Sequence, residues 1–70
     1  MFEKKYVMVT KQPPSGYSYY PIWTELFDHF GSAKFTYNDA RLFLNGIGWN
    51  DFEIQRDFEQ LERSEYVERV

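Results

Sequence analysis

Between Pro21 and Gly31 the residues Trp23, Leu26, Phe27 and Phe30 fall at i, i+3, i+4 and i+7, an apolar stripe that an α-helix gathers onto one face. Pro21 suits the first helical position, where its missing N–H costs nothing, and Gly31 suits the exit. A stripe of one leucine and three aromatics has to be covered, so the rest of a 70-residue chain must supply the cover. A chain of this length buries only about 60–65% of its unfolded surface, and every large side chain counts. Seven Phe, six Tyr and two Trp supply much apolar area per residue. Together these features predict one folded domain over residues 1–70 rather than a disordered segment.

The flanking sequence predicts the other elements. Residues 6–10 are rich in β-branched and aromatic side chains and read as a strand, with Tyr6, Met8 and Thr10 on one face and Val7 and Val9 on the other. Pro13, Pro14, Ser15 and Gly16 break that pattern, so residues 11–20 form a loop whose second half, "GYSYYP", is tyrosine-rich. "SAKFT" is long enough only for a short extended link. Thr36 and Asp39 then have N-cap and N3 spacing for a second helix, with Ala40, Phe43, Leu44 and Ile47 as its stripe and Asn45-Gly46 as its end. After "NGIG", which predicts a tight turn with positive φ at Gly46 or Gly48, Asn50 and Glu53 repeat the capping spacing. Trp49 and Ile54 stand at the positions of a hydrophobic staple. The third helix begins near Asp51 and buries Ile54, Phe58 and Leu61, which leaves Phe52 facing out. Residues 66–70 return to alternation, Tyr66 and Glu68 against Val67 and Arg69, as a short final strand.

Charge and composition narrow the function classes. The net charge of −3 is uneven: residues 1–35 hold four Lys/Arg and three Asp/Glu, and residues 36–70 hold four and eight. An acidic half repels phosphate backbones, so a protein partner is expected before bare nucleic acid. With no cysteine and one histidine there is neither a disulfide framework nor the makings of a zinc site. No apolar run approaches the ~18–20 residues of a membrane span, and a cytoplasmic protein that does not enter membranes is expected. Catalysis needs a nucleophile with its base, a paired acid and base, or a metal, and no spacing signals one. His29 reads as a helix-end surface residue. Asp51, Glu53, Asp57 and Glu59 read as a solvated helix face, because they sit on several sides of the helix without the spaced oxygens of a calcium loop. No enzyme, cofactor or metal site is expected.

The order strand, helix, link, helix, tight turn, helix, strand, together with "FTYNDARLFLNGIGWNDFEIQRDFEQLERSEYVERV", resembles the winged helix-turn-helix superfamily over residues 21–70. In that family a leucine and then an aromatic-Val-x-Arg passage lead into the wing, and Leu61, Tyr66, Val67 and Arg69 of "LERSEYVERV" look like that passage. The resemblance implies an α+β domain whose third helix is the recognition helix, with Asp51, Phe52, Gln55, Arg56 and Glu59 outward at its start. Glu65 stands where many members carry glycine, and the sequence stops at Val70 before a second wing strand. The N-terminal strand is expected to take that place, giving a two-stranded sheet over three helices.

The expected function is a non-catalytic protein–protein interaction module, an accessory or inhibitor of a larger complex, acting as a monomer or weak homodimer. Its partner-binding residues are expected to be Phe52, Leu42, Gln55, Arg56, Glu59 and Trp49, because Phe52 and Leu42 lie off their helices' core stripes. The alternatives are a winged-helix DNA-binding transcriptional regulator, which the resemblance implies, and an acidic DNA-mimic inhibitor, which the acid-rich third helix suggests.

Overall fold

The computed structural model describes residues 4–70. In chain order its elements are β1 (Lys5–Met8), α1 (Tyr20–Phe30), β2 (Phe35–Thr36), α2 (Tyr37–Gly46), α3 (Asp51–Arg63) and β3 (Val67–Arg69). Three helices therefore pack with a three-stranded antiparallel sheet of order β2-β1-β3, an α+β domain.

Both capping boxes form. Thr36 Oγ1 accepts from the Asp39 N–H at 3.0 Å while Asp39 Oδ2 accepts from the Thr36 N–H at 3.0 Å, which starts α2. Those bonds to Thr36 hold the Asp39 carboxyl below its ordinary pKa. Asn50 and Glu53 exchange the same pair of bonds, at 2.8 and 3.2 Å, and start α3. The helix ends are equally local. Gly48, at φ 105, lets the Trp49 N–H reach back to the Leu44 carbonyl at 3.0 Å and close α2.

At the end of α3 the same closure is made without glycine. Glu65 takes φ 64, and the Tyr66 N–H bonds the Leu61 carbonyl at 2.8 Å. A side chain in this left-handed region carries strain, and Glu65 is exposed with nothing to lose. Glu65→Gly is therefore expected to stabilise the domain by about 1 kcal/mol, or about 4–8 °C in Tm, as a thermal melt would show. An unchanged or lower Tm would mean that the freedom gained by the unfolded chain outweighs the strain relieved.

The two chain ends pair as expected, with Tyr6 opposite Arg69, Val7 opposite Glu68 and Met8 opposite Val67. The sheet is nevertheless three-stranded rather than two-stranded. The segment expected to be a mere link supplies β2, with Lys5 opposite Thr36 and Tyr6 opposite Phe35. Two residues are too few to show a period of two, but they satisfy the backbone groups on the second side of β1. Alternation holds in β1, where Tyr6 and Met8 are buried, but Thr10 lies beyond the strand and is exposed. It fails at residues 66–70: Tyr66 and Val67 are both buried, because the left-handed turn at Glu65 turns Tyr66 inward before the strand begins.

The core is aromatic and continuous. Phe30 stacks on Phe35 at 4.3 Å between centroids, Tyr6 meets Phe58 edge-on at 5.0 Å, and Tyr37 does the same at 5.2 Å. The buried face of α1 is turned from the expected stripe. Tyr19, Ile22, Trp23 and Leu26 are buried, again at i, i+3, i+4 and i+7, while Phe27 and Phe30 are only partly covered at its edge. On α2, Ala40 and Leu44 are buried and Phe43 partly so. Ile47, assigned to that stripe by its spacing, is 47% exposed, because the helix has ended and residue 47 is its C-cap. Ile54, Phe58 and Leu61 of α3 are buried as expected.

Candidate functional site

Helix α3 fixes the geometry of the exposed surface. The capping box sets its first turn, and burial of Ile54, Phe58 and Leu61 sets its rotation, so Phe52 is thrown outward with its residue 73% exposed. The Arg56 guanidinium lies over the Phe52 ring, 5.9 Å from the centroid, one helical turn on. Phe52, Gln55, Arg56 and Glu59 line one shallow depression of about 260 Å³. Four of the six expected partner-binding residues are thus brought together.

The other two are not part of that depression. Leu42 is 57% exposed on α2. The Arg41–Asp51 ion pair, at 3.7 Å, ties α2 to the start of α3 beside it. Trp49 is half-buried against the core and its carbonyl accepts from Asn45 Nδ2 at 2.8 Å. Its remaining surface belongs to a different groove, shared with Tyr20, Pro21, Thr24, Glu25 and Ile47.

One residue stands apart from the sequence reading. Asp57, expected on a solvated face, is only 1% exposed. It lies three residues after Ile54 and four before Leu61, which puts a carboxylate on the apolar stripe itself, and that position was the available signal. Arg56 Nε donates to Asp57 Oδ1 at 3.1 Å, and this bond and the adjoining charge push the Arg56 pKa up. Asp57 Oδ2 has no hydrogen-bond partner among the described residues. Above it opens a cleft of about 530 Å³ between α3, with Gln60 beside Arg56 and Asp57, and the loop carrying Tyr17, Ser18 and Tyr19. Arg56 lines both this cleft and the Phe52 depression.

The tyrosine-rich loop is divided between core and surface. Tyr19 is buried, 5.9 Å from the Tyr66 ring, whereas Tyr17 is exposed and leans on Tyr19 at 5.3 Å. His29 stacks flat on Phe43 at 3.8 Å and 12° on the surface of the helical layer. Among the described residues no group of three or more His, Cys, Asp or Glu side chains is placed to hold a metal ion. In the same residues no helix is long and apolar enough to cross a membrane. Comparison with protein-family models, with curated proteins and with solved structures finds no match to this chain.

Proposed function

We propose that this chain is a non-catalytic protein-interaction module on a winged-helix-like frame, and that its contact surface is the outward face of α3, with Leu42 of α2 at its margin. The observation that carries this reading is Phe52: a large ring, 73% exposed, presented by a rigid capped helix with an arginine laid over it. Aromatic and arginine side chains are enriched at the buried centres of interfaces, where a few residues carry most of the binding energy. The frame supports the reading. Three helices lead into β3, which pairs with β1, and Leu42 of α2 and Phe52 of α3 stay exposed.

The test is Phe52→Glu. The variant is expected to melt like the parent, since no core neighbour is lost, yet to lose the partner captured by the tagged parent from native lysate. Capture of the same partner by a folded Phe52→Glu protein would sink the proposal.

A DNA-reading role for the same helix is disfavoured by its charge. Asp51, Glu53, Glu59 and Glu62 share α3 with only two arginines, Arg56 and Arg63, and Arg56 is already paired with Asp57. No measurable binding to random duplex DNA is expected at ~150 mM salt; a gel shift in the micromolar range would restore the DNA reading.

A further inference from the structure

The cleft over Asp57 holds a charge that its own surroundings only half answer. Residues i and i+1 of a helix do not face each other, so Arg56 reaches Asp57 sideways through Nε alone, at 3.1 Å, rather than with the two-pronged grip that a guanidinium gives a carboxylate. The Arg56 side chain is itself 50% exposed, and much of its charge is spent in water. A carboxylate taken out of water without full pairing is a large penalty, and Oδ2 meets no donor among the described residues. The other lining residues are uncharged: Gly16, Tyr17, Ser18, Tyr19, Gln60 and Ser64.

We propose that this cleft is a binding site for a guanidinium cation, with Asp57 as its counter-ion and Tyr17 and Tyr19 as its aromatic wall. Ring faces favour a flat cation, and Glu53, one turn before Asp57 on the same side of the helix, adds a negative charge. Arg56 Nε already holds Oδ1, and Oδ2 is closed from solvent, so an incoming guanidinium takes the carboxylate in exchange for Arg56. Ligand and Arg56 therefore compete for one carboxylate. The site stands on Asp57 and the cleft, independently of whether the Phe52 face binds a protein.

The experiment follows backbone amide signals of the whole ¹⁵N-labelled chain during titration with agmatine, with the peptide acetyl-Gly-Ala-Arg-Ala-Gly-amide, and with the same peptide carrying citrulline for arginine. Citrulline keeps the shape and removes the charge. Saturable shifts at Tyr17, Ser18, Tyr19, Asp57, Gln60 and Ser64 are expected with both guanidinium probes and not with citrulline. Asp57→Asn, nearly isosteric, should weaken binding about tenfold or more, and Arg56→Gln should tighten it by removing the competitor. Tighter binding of the peptide than of agmatine would assign the site to an arginine of a polypeptide; equal binding would assign it to a free guanidinium compound. The proposal is overturned by the absence of saturable shifts in the parent protein, by an equal response to citrulline, or by unaltered affinity in a folded Asp57→Asn variant. Should Asp57→Asn not fold, unchanged or weaker binding by Arg56→Gln overturns it instead.

Discussion

Removal of residues 1–10 is expected to abolish the cooperative unfolding transition, leaving a chain without a fixed fold. These residues contain β1, which is the middle strand: it pairs with β2 on one side and with β3 on the other. Without it, two strands of two and three residues lose their backbone partners at once, and neither has a neighbour to turn to. The loss reaches the core as well. Tyr6 packs edge-on against Phe58 at 5.0 Å and lies 6.2 Å from Phe35, and Met8 is buried beside them. Deleting two buried side chains of that size costs about 2–5 kcal/mol each, comparable with the whole stability of a small domain. Circular dichroism during thermal or urea unfolding checks this directly. A sigmoidal melt retained by residues 11–70 would show that the helices hold together without the sheet, and that β1 merely decorates them.

What could be read in the sequence was what is encoded over three or four residues. Thr36 with Asp39, and Asn50 with Glu53, each specify a helix start by a reciprocal pair of hydrogen bonds, and a motif closed within one turn survives any tertiary context. The outward turn of Phe52 followed from the same local geometry. Features decided by distant packing were less legible. Phe35 and Thr36 become a strand only because β1, some thirty residues earlier in the chain, has a free side to fill. The buried face of α1 continues back to its N-cap, Tyr19, whose ring lies by Tyr66, and spacing counted from Pro21 onward could not include a residue ahead of the helix; with Tyr19 as the start, Ile22 falls on the same face. Asp57 shows both limits at once. Its position on the stripe marked it, but carboxylates are rarely left inside, and its burial depends on how α3 packs on the rest of the fold. The candidate surface was legible where exposure was local, at Phe52 and its helical neighbours, and was not where it depended on how α2 ends and how Trp49 is seated.

Substitution to alanine along two helices should separate core from surface by energy. Leu26→Ala is expected to cost about 2–5 kcal/mol, since Leu26 is fully buried among the α1 residues that face the rest of the core and the small domain can collapse only partly around the void. Phe27→Ala should cost less than Leu26→Ala despite the larger side chain, because Phe27 is only half-buried at the edge of the stripe, where it stacks on Trp23 at 5.1 Å. Phe52→Ala should lie within about 1 kcal/mol of the parent, its ring being in solvent apart from the Arg56 guanidinium. Urea melts of the three variants, compared by midpoint at constant m, give the order Leu26 > Phe27 > Phe52 if α1 and α3 are rotated as described. Equal losses at Leu26 and Phe52 would mean that α3 is turned and its aromatic residue is part of the core, which would remove the anchor on which the interaction surface depends. The predicted order leaves Phe52 as a residue whose ring contributes little to the fold and is free to be spent on a partner.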